Sequence, residues 1–306
     1  MADFLSVGIA AYNEEESIER MLSSVFKSTL WRQTPPGMRE VMVCCNGCTD
    51  KTEEIVKRIS VEQRRGDVKL IVSAPGKAVA WNALVKKMDG RAKVLFFADA
   101  DVLVHRKALE NLKSALSGRA LIAAARIVPL TAADSAFMRG INKLSKEVLR
   151  SGTPWVTGML YGVKRDFAES VKMPANIICD DTFLEIKAGN RVVFVNSAKV
   201  YYQSARKIRD YMNARIRNFA GGRQFYEMGL LKGVPGALVG KESMKSWRER
   251  ISQFGKLSRV EKLYTLATLP LDRVAFAKSK SYFKKRKTPG WSKSQTAKLK
   301  VRTPRG

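Results

Sequence analysis

The chain has 306 residues, with 56 Lys plus Arg against 28 Asp plus Glu, a formal net charge of +28 and a pI near 10.2, a balance that calls for an anionic partner or surface. A hydrophobic content of 45% excludes wholesale disorder, and the length allows one large domain or two ordinary ones. No stretch approaches the roughly 20 apolar residues of a spanning helix, and Met1-Ala2-Asp3-Phe4 lacks the basic-then-apolar order of a signal peptide, so the expected location is cytoplasmic. Leu5, Val7 and Ile9 alternate as in a strand, and Ile18, Met21, Leu22, Val25 and Phe26 follow helical spacing after a break at Ala11-Tyr12-Asn13. A strand is expected over 40–45, a helix over 52–59, a strand over 68–72, a helix over 77–88, a strand over 93–98 and a helix over 106–116. Alternating units of this length imply a largely parallel sheet covered on both faces.

Beyond residue 118 the rhythm loosens. A strand is expected over 121–128, a helix over 135–149 and Gly-punctuated irregular chain over 151–162. A helical turn at 182–187, strands at 191–195 and 199–202 and a basic helix over 207–219 follow, with no internal repeat.

Chemistry-bearing residues gather where these strands end. Asp99-Ala100-Asp101 leaves the strongly apolar strand Val94-Leu95-Phe96-Phe97-Ala98. Ligands of open α/β sheets bind outside the carboxyl ends of strands, and two Asp spaced by one residue suit a divalent cation that also holds phosphate oxygens. The plainer alternative is a solvated turn capping the helix near His105. Ala11-Tyr12-Asn13-Glu14, Asn46-Gly47-Cys48-Thr49-Asp50 and Pro75-Gly76-Lys77 end the first three strands. Each is ordinary turn chemistry taken singly. Together they offer an aromatic ring for a base, amide and carboxylate groups for ribose or base edges, and a cation for phosphate.

In this order, and with Asp180-Asp181 and Leu184 further on, these motifs resemble the family 2 glycosyltransferases of GT-A fold over residues 4–225. The resemblance implies an α/β nucleotide-binding fold with a mostly parallel sheet flanked by helices, a nucleotide-sugar donor, Mg²⁺ or Mn²⁺, and inversion at the anomeric carbon by direct displacement. It implies that Ala11, Tyr12, Glu14, Asn46, Asp50, Lys77 and Asp99 bind the donor nucleotide, that Asp101 is the metal ligand, and that Asp181 is the catalytic base toward a hydroxyl acceptor. The Asp180-Asp181 pair also suits a helix N-terminus. The acceptor class is a glycan, a lipid-linked molecule or a protein, in cell-envelope or polysaccharide biosynthesis. Two departures stand out. Cys45-Asn46-Gly47-Cys48-Thr49-Asp50 replaces the family's frequent Asp-Asp-Gly-Ser-Thr-Asp, which leaves the base of the donor open. Ala214-Arg215-Ile216-Arg217-Asn218 keeps the Arg of a Gln-x-x-Arg-Trp motif without its Gln or Trp, which argues against a processive synthase.

In the basic helix, Ile208, Tyr211, Met212, Ile216 and Phe219 share a face with Arg215, while Arg206, Arg209 and Arg217 lie opposite. Arg215 needs an anionic partner, either the donor diphosphate or a structural carboxylate; Arg215 and Arg217 are counted with the donor-binding residues. Cys45-x-x-Cys48 admits redox or zinc readings, but buried reduced thiols suit a cytosolic chain better.

The charge is uneven. Residues 206–306 hold 26 basic and 6 acidic side chains, an excess of +20, against +2 over 1–110 and +6 over 111–205. The expected division is a catalytic domain over 1–225, a helical amphipathic extension over 226–277, and a basic, disordered tail over 278–306. With Tyr282, Phe283 and Trp291 among its lysines, the C-terminal region is a candidate contact for an anionic membrane surface on the cytoplasmic side. The alternative there is a helix packed on the catalytic domain. As whole-protein alternatives, a nucleotidyltransferase would share the sheet edge, and a non-catalytic basic nucleic-acid or membrane-binding protein would share the charge.

Overall fold

The computed structural model describes residues 3–62, 66–130, 132–152, 155–230, 255 and 257–285. Strands β1 (Leu5–Ala11), β2 (Arg39–Asn46), β3 (Val68–Ser73) and β4 (Val94–Asp99) alternate with helices α1 (Ile18–Phe26), α2 (Thr29–Gln33), α3 (Thr52–Glu62) and α4 (Lys77–Lys87). Next come β5 (Val102–Val104), α5 (Ala108–Ala115), β6 (Ile122–Leu130), α6 (Ala136–Val148), β7 (Leu160–Lys164), α7 (Arg165–Ser170), α8 (Asp180–Ala188), β8 (Val192–Gln203), α9 (Ile208–Glu227) and α10 (Arg259–Lys285). All eight strands form one sheet in the order β3-β2-β1-β4-β7-β6-β8-β5.

The expected parallel rhythm holds through β3-β2-β1-β4. Past β4 the sheet is mixed: β7 runs antiparallel to β4 and β6, β8 parallel to β6, and β5 antiparallel to β8. The central strands are apolar throughout because both faces are covered. Val41, Val43 and Cys45 of β2 join Val7, Ile9 and α1 in one core layer, while Met42 and Cys44 join α4, Leu95 and Phe97 in the other. The two-residue period of a strand distributes alternate side chains to these layers.

Several expected elements change. The two strands at 191–195 and 199–202 are the single strand β8, whose register against β6 jumps between Val195 and Lys199 opposite Ala125 and Arg126. Local periodicity breaks at such a bulge although the pairing continues. The turn at 182–187 is a full helix, and the irregular stretch ends in β7. The short elements α2, β5 and α7 were not anticipated.

The expected divisions at 225 and 277 both fall inside helices, α9 and α10. Helix α10 is closely packed on α9. The Arg215 guanidinium donates from Nε to Asp272 Oδ1 at 2.6 Å and from Nη2 to Oδ2 at 2.8 Å. Arg223 donates to Ser279 Oγ at 2.8 Å and lies over Phe276, whose ring meets Phe219 edge-on at 5.7 Å. Of the expected tail, residues 286–306 with Trp291 lie outside the described residues.

On its other side α9 approaches the segment before α8 so closely that a Cβ at Gly221 would overlap Cys179 Sγ. Gly221→Ala is therefore expected to cost about 1–3 kcal/mol of stability through overpacking. Gly118→Ala, whose Cβ would meet nothing, is the control; thermal melts of the two variants check the difference.

Candidate active site

The β1–α1 and β2–α3 loops are tied together at the carboxyl edge of the sheet. Asn46 Nδ2 donates to the Ala11 carbonyl at 2.8 Å, and Asn46 Oδ1 accepts from the Gly76 N–H at 3.4 Å, so one buried amide links three strand ends. Asn13, in the left-handed region at φ 54°, accepts from the Thr49 N–H at 2.8 Å. Asp50 accepts from the Thr52 N–H at 3.0 Å and the Glu15 N–H at 3.1 Å. These loops are built from side chains that bond to backbone across sequence separation, a loop chemistry Asn and Asp supply readily.

Three residues expected to meet the donor are turned inward: Ala11 is fully buried in the core at the end of β1, and Glu14 and Asn46 are held in the loops. Glu14 is fully buried, its carboxylate accepts from the Ser17 hydroxyl, and its N–H donates to Thr52 Oγ1 at 2.7 Å. Asn46 is 2% exposed and occupied as above. Both organise the loops rather than present themselves to a ligand, because burial compels their polar atoms to find partners inside the protein. Tyr12 is part-exposed in the first loop.

A cavity of about 520 Å³ opens beside these loops. Lys77, Asp99, Asp101, Asp180, Asp181, Gly158 and Arg217 are among the residues lining it, while Tyr12, Glu14, Asn46 and Asp50 are not. Lys77, the first residue of α4, places its ammonium 2.7 Å from Asp99 Oδ1 and 3.7 Å from Asp180 Oδ2. Burial opposes the Lys77 charge, but Asp180, Asp99 and Asp181 outweigh it and hold the ammonium protonated well above its usual range. Burial, then the neighbouring carboxylates, pushes Asp180 and Asp101 above the ordinary carboxylate range despite Lys77.

Asp180 and Asp181 differ in environment. Asp180 is buried against Lys77, whereas Asp181 is part-exposed at the cavity. Asp181 Oδ2 accepts from the Gly158 N–H at 3.0 Å and Oδ1 from the Thr182 N–H at 2.7 Å, which aims the carboxylate. The first turn of α8 favours negative charge there.

The acids fit a hard divalent cation. Asp99 and Asp101 leave one strand end into the same cavity, and crowding by like charge is the condition a cation relieves. Among the described residues no three His, Cys, Asp or Glu side chains are placed to hold a metal ion by themselves. One or two carboxylates with phosphate oxygens and water completing the shell is the usual arrangement for Mg²⁺.

The two arginines of α9 that were counted with the donor-binding residues, Arg215 and Arg217, go to different places. Arg215 is bound by Asp272 of α10, so the structural carboxylate is its partner, and Arg217 lines the cavity. Helix α9 is covered by α10 on one side and faces the cavity on another, so no single stripe of it is the inward one. His105 is absent from the cavity wall, and all four cysteines are free thiols. Gly158, Thr157 and Trp155 of the irregular stretch, Asp210 and Asn213 of α9, and Tyr282 of α10 also line the cavity. Sequence reasoning assigned Tyr282 to a membrane contact and passed over the others; glycine punctuation at 151–162 and a lone acid in a basic helix were the available signals.

Residues 6–166 match the sequence model of glycosyl transferase family 2. Over 115 residues, 38% of this chain and 36% of the relative's length, the sequence is 32% identical to glycosyltransferase AglE of Haloferax volcanii. The chain thus spans only about a third of that relative. In fold it is similar to the mannosyltransferase PcManGT from Pyrobaculum calidifontis, solved with GDP-Man and Mn²⁺, with a TM-score of 0.58 and 21% identity over 92% of this chain and 76% of that one. It is similar as well to GalNAc-T7, solved with UDP, GalNAc and Mn²⁺, with a TM-score of 0.51 and 15% identity over 82% of this chain and 57% of the other.

A Cβ on Gly158 would overlap the Lys77 ammonium and meet Asp99 Oδ1 at ordinary contact distance. Gly158→Ala is expected to push Lys77 off Asp99 and to lower stability by about 1–3 kcal/mol. Urea melts of wild type, Gly158→Ala and the pair-deleting double variant Lys77→Met/Asp99→Asn check this: the alanine should be harmless in the double variant.

Proposed function

Because the chain belongs to glycosyl transferase family 2, we propose that it is an inverting glycosyltransferase that moves a sugar from a nucleoside-diphosphate donor to an acceptor hydroxyl. The observation that carries this reading is the ring of Asp99, Asp101, Asp180 and Asp181 around Lys77 at one cavity beside the strand ends. GDP-Man and Mn²⁺ accompany PcManGT, and UDP, GalNAc and Mn²⁺ accompany GalNAc-T7, two proteins of similar fold.

Tyr12 and the Asp50-braced second loop form the nucleoside side of the donor site, and Lys77, Asp99 and Arg217 face its ribose and diphosphate. Asp101 holds a Mg²⁺ or Mn²⁺ ion, which supplies positive charge to the departing diphosphate. Asp181, aimed by the Gly158 and Thr182 N–H groups, accepts the proton of the acceptor hydroxyl. As that oxygen bonds to the anomeric carbon from the side opposite the diphosphate, the carbon–oxygen bond to the diphosphate breaks and the configuration inverts. The Asp180 carboxylate balances Lys77 and keeps the ammonium between the donor and the base. In a nucleotidyltransferase, the alternative at the same sheet edge, the acceptor oxygen would bond to phosphorus instead of the anomeric carbon.

We place the protein in cell-envelope or polysaccharide biosynthesis, held peripherally on the cytoplasmic face of a membrane. No described helix is long and apolar enough to cross a membrane. The outer face of α10 exposes Leu263, Leu266, Leu269 and Val274 next to exposed Arg273, Lys278 and Lys280. An apolar stripe flanked by cations suits a helix lying in the surface of anionic lipid.

A thermal-shift screen of UDP-, GDP- and dTDP-sugars with and without Mn²⁺ tests the donor reading. One donor class should stabilise the wild type in a metal-dependent way, and Asp101→Ala should lose that dependence. Asp181→Asn should keep the shift while turnover falls by about 10²–10⁴-fold. A wild type that no donor stabilises would overturn the assignment. For the membrane, sedimentation with phosphatidylglycerol vesicles should be salt-sensitive and should be lost in Leu263→Glu/Leu266→Glu; equal sedimentation of wild type and variant would remove α10 as the contact.

A further inference from the structure

The cavity is lined by more than the catalytic carboxylates. Its lining also includes Trp155 in the loop before β7, Asp210 and Asn213 near the start of α9, and Tyr282 near the end of α10. Tyr12, Asn46 and Asp50, the loop residues assigned to the nucleoside, do not line it.

Two residues of this lining each bury a polar atom that has no hydrogen-bond partner among the described residues. Asp210 is 6% exposed, and its buried Oδ2 meets no donor among the described residues. Thr157 is 7% exposed, and its buried Oγ1 has no partner among them either. A buried carboxylate oxygen without a donor costs about 1–3 kcal/mol or more, so it takes a donor from water or from a ligand.

The combination defines the chemistry of the ligand. A buried carboxylate and a hydroxyl ask for O–H donors, and a carboxylate repels phosphate or another carboxylate. Trp155 and Tyr282 add two aromatic rings to the same lining, a side-chain type with flat apolar faces. Hydroxyl donors on a ring with apolar C–H faces describe a pyranose. Resting on the glycosyl-transfer reading above, we infer that this part of the cavity is an acceptor subsite for a neutral pyranose with adjacent hydroxyls, held by Asp210 and Thr157 and walled by Trp155 and by Tyr282 of the C-terminal helix. The acceptor is then a saccharide, free or at the end of a longer molecule, and α10 contributes to its selection as well as to the fold.

The test uses the full chain and two independent readouts. Methyl α- and β-glucopyranosides, mannopyranosides and galactopyranosides are titrated by saturation-transfer NMR, without donor, into wild type, Asp210→Asn and Tyr282→Ala. In parallel, GDP-Man and UDP-GlcNAc with Mn²⁺ are scored by thermal shift. Asp210→Asn conserves shape and serves as the folded variant should Tyr282→Ala loosen α10; melting temperatures without ligand are recorded for all three. At least one glycoside is expected to bind the wild type and to bind Asp210→Asn about tenfold or more weakly, the loss of a charge-assisted hydrogen bond, with the donor shift unchanged. The proposal is overturned if the glycoside binds Asp210→Asn as well as wild type, or if no glycoside binds a wild type that a donor does stabilise. Glycoside binding that depends on Asp210 in a protein that no nucleotide sugar stabilises would uphold the subsite and remove the donor reading instead.

Discussion

Four carboxylates share one end of the cavity, and the Lys77 ammonium is what makes that crowding tolerable. Two like charges 4 Å apart repel by about 4 kcal/mol in the environment of a protein surface, and more as water is excluded. Lys77 stands 2.7 Å from Asp99 and 3.7 Å from Asp180, acids that lie 81 residues apart in the chain. Its place is set by the start of α4, which the Gly76 N–H ties back to Asn46 and through it to the end of β1. The end of β4 and the start of α8 are therefore bridged by one cation, whose place the Asn46 links to the first loops help to set. Gly158 has no side chain because that cation occupies the space where its Cβ would be.

The mixed half of the sheet brings these distant pieces together. β7 pairs antiparallel with β4 and carries the preceding loop, with Thr157 and Gly158, over the carboxyl end of the parallel strands. Glu185 of α8 accepts from the Val156 N–H at 3.0 Å and Asp181 from the Gly158 N–H, so the same loop is pinned twice to the helix that holds the proposed base. The cavity is bounded on its remaining side by α9, which α10 clamps from behind through Arg215 and Asp272. A planar guanidinium meeting a carboxylate through two bonds fixes orientation as well as distance, which suits a helix whose near side forms a wall of the cavity.

Much of the site was legible because its parts are local. Asp99-Ala100-Asp101 after an apolar strand, Lys77 after Pro75-Gly76, and Asp180-Asp181 at a helix start each couple a residue type to an element end, and all five side chains line one cavity. Glu14 and Asn46 were assigned to the ligand from the same logic, but whether a loop side chain turns out or in depends on partners in other loops. Ser17 and Thr52 claim Glu14, while Ala11 and Gly76 claim Asn46. The charge excess after residue 205 suggested an appendage, yet α10 is packed on α9 and brings Tyr282 into the cavity wall.

The sequence by itself determined the first-half strand and helix order, the parallel half of the sheet and the placing of the acids at strand and helix ends. These follow from hydrophobic period and turn chemistry, which act over a few residues. Tertiary structure alone decided that Arg215 pairs with Asp272, 57 residues on, that Arg217 takes the cavity instead, and that Asp210, Trp155 and Tyr282 meet across one space. Such choices depend on which surfaces the packed helices bury against each other. A period of 3.6 residues states which side chains share a face of a helix, but not which of two covered faces meets a ligand and which meets another helix.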